Sequence, residues 1–208
     1  FSFIFFYFLF NAIYEQSGGS LSLFAKDNLN SNLLGFTIDP NVVNNSSNTF
    51  FVIVLSPLIG LLWLWLAKKK IEPNTLIKFG IGFLFLSASF YLFYYTKFFA
   101  NVDGITSLNL FTFAYLVTTI GELCLSPMGL SLVSKLSPPR ITALMMGGFF
   151  LAISVGNKLS GMLSSLWETI PEKQNFFLLN FGLVLAAAVV LILMLKLFGC
   201  QSGYMRVV

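Results

Sequence analysis

Glu122 stands alone in an apolar run that reaches from Asn109 to Val133 without another charge. A helix of about 25 residues is roughly 38 Å long, enough to cross a bilayer. Glu122 falls near the middle of that length. A carboxylate at such depth costs about 2.5–3.5 kcal/mol even on the lenient insertion scale, so it faces protein or water and not acyl chains. It is either a station for a proton, an ion or a charged solute, or a fixed hydrogen-bond partner among packed helices.

The rest of the chain agrees with a membrane setting. Hydrophobic residues make up 57% of it and charged residues 10%, against about 25% charged in soluble domains. The 25 Phe and 3 Trp read as lipid-facing and interfacial surface. There is no His, which excludes an imidazole base and most zinc sites. Cys124 and Cys200 have no metal-ligand spacing and are not expected to form a disulfide. Without an activated nucleophile, a metal cluster or a glycine-rich phosphate loop, the chain is not read as an enzyme, and neither a metal nor another cofactor is expected. Its net charge of +4 sits in short loops between apolar runs, so it concerns membrane orientation and not nucleic acid. The chain opens at Phe1, with neither a basic leader nor a cleavage site, and is read as truncated and not as carrying a signal peptide.

Six spans are expected, at about 3–25, 48–67, 79–96, 109–133, 142–165 and 175–195. Lys68, Lys69, Lys70, Lys78, Lys135, Arg140, Lys196 and Arg206 fall on one side of the membrane. Lys26, Lys97 and Lys173 fall on the other, with Asp27, Asp39, Asp103, Glu168 and Glu172. This bias places both termini in the cytoplasm, with the lipid bilayer as the surrounding partner. The stretch from Lys26 to Ser47 reads as a solvated external loop, and Asn44-Asn45-Ser46 fits a glycosylation acceptor.

Several residues interrupt the spans. Pro127 cannot donate to the carbonyl of Leu123, and Pro57 does the same to Ile53. Discontinuous helices near the midplane occur at transporter binding sites, and proline is also common in simple packing kinks. Pro127, one turn from the carboxylate, is read as a functional bend and Pro57 as packing. Glu15 lies midway along the first span, ahead of Gly18 and Gly19, which provide a hinge. Two glutamates at similar depth on different helices can face one cavity. A glutamic acid that ionises when water or a cation arrives is a proton carrier. Thr118 and Ser126, four residues either side of Glu122, share its face, or bond to their own helix instead. Gly148, Ala152, Gly156, Ser160 and Ser164 form a stripe of small side chains that admits a close neighbour. Lys158 beside it either pairs with a carboxylate or snorkels to the interface.

The run Gly121-Glu122-Leu123-Cys124-Leu125-Ser126-Pro127-Met128-Gly129-Leu130-Ser131, followed by Val133-Ser134-Lys135-Leu136-Ser137-Pro138, closely resembles the tenth-helix signature of the proton-dependent oligopeptide transporters of the major facilitator superfamily. Asn11-Ala12-Ile13-Tyr14-Glu15-Gln16-Ser17-Gly18 resembles their seventh helix. Asn48 to Ile53 with Ser56-Pro57-Leu58 resembles the eighth. Met146 to Leu151 with Gly156 to Gly161 resembles the eleventh. The resemblance implies an all-α membrane fold: the C-terminal six-helix bundle of a twelve-helix transporter, with the N-terminal half absent from residues 1–208.

Roles follow position by position as implications of the resemblance. Glu122 is expected to contact the peptide amino terminus and to pair with a lysine of the other half. Glu15 is expected to serve the external gate and proton movement. Asn48 is expected to hydrogen-bond the peptide backbone. Asn11 stands where many members have an aromatic pocket residue and Phe149 where many have Trp. Ser126 completes the expected substrate-binding set. The implied activity is secondary active transport: proton-coupled symport of di- and tripeptides across the plasma (inner) membrane, with protons as coupling ion and this chain supplying one wall of the site. Two alternatives stand beside it. One is the same scaffold carrying another small solute such as nitrate. The other is a stand-alone six-helix membrane fragment without transport activity.

Overall fold

The computed structural model describes residues 2–73, 75–101, 104–170 and 173–199. Asp103, Glu172, Cys200 and Arg206, counted above for orientation or cysteine pairing, lie outside them. The side chains of Ser126, Pro127, Lys135, Glu168, Lys173 and Lys196 are likewise outside what is described.

The chain is an antiparallel helical bundle. Helix α1 (Ser2–Tyr14) ends in a 3₁₀ turn at Glu15–Gly18, and α2 (Ser20–Asn28) continues the same span. A short hairpin, β1 (Asn32–Leu33) and β2 (Phe36–Thr37), leads into α3 (Pro40–Lys68). Then follow α4 (Thr75–Tyr95), α5 (Leu108–Leu136), α6 (Thr142–Thr169) and α7 (Lys173–Gly199). Five of these, α3 to α7, are long and apolar enough to cross a membrane without interruption. The expectation of six spans is corrected to that extent, because the first is divided at Glu15. The reason is local: Gly18 and Gly19 weaken the helix, and Gly19 takes up φ −114° and ψ −102°, outside the helical region.

The second expected span begins too late. Helix α3 starts at Pro40, which fits the first helical turn, and Asp39 caps it by accepting from the Asn41 amide at 2.8 Å. Asn44 is therefore helical and only 2% exposed, and it accepts a hydrogen bond from the Tyr115 hydroxyl at 2.5 Å. A glycosylation acceptor on a solvated loop is excluded there. Polar composition mimicked a loop because Asn45 and Ser46 are exposed, while Asn44 and Asn48 of the same helix turn toward α5 and bond to Tyr115 and Thr119. The true turn is the hairpin, where Leu34 and Gly35 both have positive φ, as a tight two-residue β-turn requires.

The aromatic residues are interior more than sequence composition suggested. Phe24, Phe93, Phe111, Tyr115, Trp167, Phe176 and Phe177 form one buried cluster, with Phe24 and Phe177 ring centroids 5.1 Å apart. A second cluster joins Phe6, Phe10, Phe79 and Phe83. In lipid, helices associate through close van der Waals packing and not through escape from water, so large flat rings are as useful inside as outside. Helix α4 lies between α5 and α7, α1 lies on α6, and the upper part of α3 lies on α5.

Neither proline ends its helix: α3 runs through Pro57 and α5 continues through position 127. Lys78, one of the cations used for orientation, is 3% exposed, pairs with Glu72 and lies 4.5 Å from the Trp63 ring centroid.

Candidate functional site

The break in the first span sets the site. Helix α1 delivers Tyr14 at its last turn, and Glu15 opens the 3₁₀ turn beyond it. Across from them, α5 presents Glu122 and α3 presents Asn48. The Tyr14 hydroxyl donates to Glu122 Oε2 at 2.6 Å. Asn48 Nδ2 donates to the Tyr14 hydroxyl at 2.7 Å. Thr119 Oγ1 in turn reaches Asn48 Oδ1 at 2.8 Å, and the carbonyl of Tyr115 at 2.9 Å. Three helices thus converge on one carboxylate through a directed chain of hydrogen bonds. The Asn48 amide also stands beside the Glu122 carboxylate.

Glu15 and Glu122 are both half-buried. Each lies within electrostatic reach of the other, and Glu15 also acts on the Tyr14 hydroxyl.

The other residues singled out from sequence are placed elsewhere. Asn11, 8% exposed, turns to α6, where Nδ2 donates to Asn157 Oδ1 at 2.5 Å and to the Ile153 carbonyl at 3.3 Å. Phe149 is fully buried, its ring 4.6 Å from that of Tyr7, so it supports α1 from behind and presents no surface to the crevice. Thr118 bonds to its own helix at the Ala114 carbonyl, at 3.0 Å. Ser126 has a helical backbone, and its side chain is outside what is described. Lys158 is exposed on α6, next to Asn157.

Three residues that matter were not picked out. Thr119 lies three residues before Glu122, and that spacing shares a helix face as well as four does. Tyr14 falls within the seventh-helix resemblance, but nothing in its sequence context marks its hydroxyl. Gln16 is completely buried at the helix break. Its Oε1 accepts from Ser20 and Ser164 hydroxyls, both at 2.8 Å, and its Nε2 donates to the Ser160 carbonyl at 3.3 Å. A broken membrane helix needs such partners for its freed polar groups, and a Gln beside two glycines was the available signal.

The small-residue stripe on α6 serves this junction. Gly19 passes so close that a Cβ there would lie 2.8 Å from Ser164 Cβ. Gln16→Leu keeps the volume and strands the two serine hydroxyls. Leaving buried groups unpaired costs about 1–3 kcal/mol. The complete protein carrying it is expected to melt at lower temperature in detergent, and an unchanged melting curve would remove Gln16 from its structural role.

Comparison with known proteins adds an independent finding. The family model for the POT family matches residues 1–183. The chain is 35% identical over 196 residues to the peptide transporter YePEPT of Yersinia enterocolitica, covering 90% of this chain and 38% of that protein. It is 30% identical over 167 residues to a dipeptide and tripeptide permease A of Serratia proteamaculans, covering 80% of this chain and 32% of the permease. Among solved structures, a POT family transporter in complex with 5-aminolevulinic acid superposes with a TM-score of 0.81 at 27% identity, over 93% of this chain and 39% of that one. The chain therefore spans less than two fifths of the length of these relatives.

Proposed function

Because this chain belongs to the POT family, we propose that it forms one wall of the central site of a transporter that carries di- and tripeptides into the cell together with protons. The observation that carries this reading is the convergence of Tyr14, Asn48 and Glu122 in one hydrogen-bonded network, with the half-buried Glu15 within electrostatic reach. The opposite wall comes from a preceding six-helix half. Both termini of this bundle face the cytoplasm of the plasma membrane, as the lysine-rich loops direct.

Glu122 attracts the α-ammonium of the peptide, since charges interact strongly where water is sparse. Asn48 matches the peptide bond. Tyr14 and Thr119 occupy one of its N–H groups and one of its lone pairs, and the amide also bonds the Glu122 carboxylate, so an oxygen lone pair remains to accept from a peptide N–H. Recognition of the backbone and terminus, and not of side chains, accounts for tolerance of many sequences. Proton uptake at Glu15 relieves repulsion across the crevice and shifts the balance between open and closed outer gates.

The test is uptake by the complete transporter in proteoliposomes. An inwardly directed proton gradient is expected to drive accumulation of labelled dialanine, and a protonophore to stop it. Excess nitrate is expected not to compete. Accumulation indifferent to the gradient would refute proton coupling, and displacement by nitrate would favour an anion as cargo.

A further inference from the structure

We infer that Tyr14 is a positioning residue that sets the distance and orientation between the two substrate-facing groups, the Glu122 carboxylate and the Asn48 amide. The inference rests on the peptide-carrying reading above and goes one step further, because it assigns a task to a side chain that no sequence motif argument required.

The geometry is specific. One hydroxyl group serves both partners at once, donating to Glu122 Oε2 at 2.6 Å and accepting from Asn48 Nδ2 at 2.7 Å. A phenolic oxygen has one proton and two lone pairs, so its proton is committed to the carboxylate and a lone pair to the amide. Glu122 belongs to α5 and Asn48 to α3, and Tyr14 arrives from α1. The ring is held in turn by stacking on Phe10, with centroids 5.7 Å apart and planes 11° apart. Phe10 is 3% exposed and packs on Phe83 of α4. The hydroxyl is therefore a fixed point fastened to the core. Thr119 closes the arrangement by fixing the other end of the Asn48 amide.

The consequence is a defined register. An α-ammonium and the first peptide bond are separated by a constant distance in every dipeptide. A carboxylate free to rotate would meet the ammonium in many orientations. With Oε2 held by Tyr14 and the Asn48 amide held between Tyr14 and Thr119, carboxylate and amide stand in one fixed relation. Holding a binding group in its bound orientation removes part of the ordering cost of binding. The position is also the last residue of the helix before the 3₁₀ turn, so a change at the hinge displaces the hydroxyl and loosens both partners together.

The experiment uses the complete transporter in proteoliposomes with two probes: dialanine, and N-propionylalanine, which keeps the peptide bond and lacks the amino group. Tyr14→Phe preserves the ring. It is expected to raise the KM for dialanine about tenfold, the scale of a hydrogen bond to a charged group, with kcat little changed. Inhibition by N-propionylalanine is expected to move much less. Combined with Glu122→Gln, Tyr14→Phe is expected to add little, because coupled residues are not additive. An unchanged KM overturns the inference. So does an equal loss for both probes, which marks a merely structural tyrosine. If Tyr14→Phe does not reach the membrane, Tyr14→Met supplies the same comparison, with a larger rise in KM for dialanine than loss of inhibition by N-propionylalanine expected, and an equal change or none overturning the assignment. Should Glu122→Gln itself leave dialanine uptake intact, the peptide-site reading fails first. A loss with Glu122→Gln and none with Tyr14→Phe refutes only the role of Tyr14.

Discussion

The complete transporter carrying Glu122→Gln is expected to lose proton-driven dialanine uptake. The substitution is nearly isosteric, and the Tyr14 hydroxyl can still donate to an amide oxygen at the position of Oε2. The three-helix network therefore survives, and the negative charge is what disappears. An ammonium then meets a neutral amide where a half-buried carboxylate stood. Removing one member of a desolvated, hydrogen-bonded charge pair costs about 2–5 kcal/mol, a loss of more than about 30-fold in affinity. Glu122→Asp keeps the charge and withdraws it by one methylene, so intermediate uptake is expected. Undiminished uptake by Glu122→Gln at normal protein levels would show that the charge has no part in binding.

Gly121→Leu is expected to have the largest effect on stability. Helices α4 and α5 cross at Gly82 and Gly121. A Cβ at Gly121 would stand 2.9 Å from the Gly82 carbonyl oxygen, and 3.2 Å from both the Leu86 amide nitrogen and Phe85 Cβ. Two of these neighbours are backbone atoms of a buried helix, which cannot swing aside as a flexible side chain does. A Cβ at Gly82 would meet the Gly121 carbonyl oxygen at 2.9 Å in return. A leucine there separates two helices that are in contact along much of their length. Overpacking typically costs 1–3 kcal/mol and sometimes more, so a loss of about 3 kcal/mol is expected here. Because Glu122 follows directly, the displacement also carries the carboxylate out of register with Tyr14. Thermal unfolding in detergent checks this, with Gly161→Ala as control, since nothing lies within 4 Å of a Cβ there. Equal melting temperatures for the two variants would refute the tight crossing.

Much of the architecture was legible in the chain. In a bilayer, backbone polar groups must be satisfied within the segment or in a closed barrel, so long apolar runs announce helices. The same constraint makes an isolated charge such as Glu122 conspicuous. The hinge at Gly18-Gly19 was visible for a related reason, since two successive glycines in a span weaken it at a known place. Local composition was less reliable at the start of α3. There the Asn- and Ser-rich stretch looked solvated, but Asp39 caps a helix through it and Tyr115 of α5 takes up Asn44, while Asn45 and Ser46 stay exposed.

The site divides in the same way. Glu122, Glu15 and Asn48 were singled out from the sequence, the glutamates by their improbable polarity at depth. That the two glutamates face one cavity is an expectation of the sequence, but the hydrogen-bond partners that join Glu122 to Asn48 are not, nor are the parts of Tyr14, Thr119 and Gln16. A helix face is periodic, so a sequence can say that Thr118 and Thr119 both lie near Glu122. It cannot say which of them meets a neighbouring helix. That depends on helix rotation and on crossings between residues far apart, such as Tyr14 and Glu122, 108 positions away. The sequence by itself determined the membrane helices and the depth of the charges, because insertion free energy is a sum over one segment. Only the tertiary structure decided which polar groups are partners, because a hydrogen bond exists only where two separately inserted helices come within about 3 Å of each other.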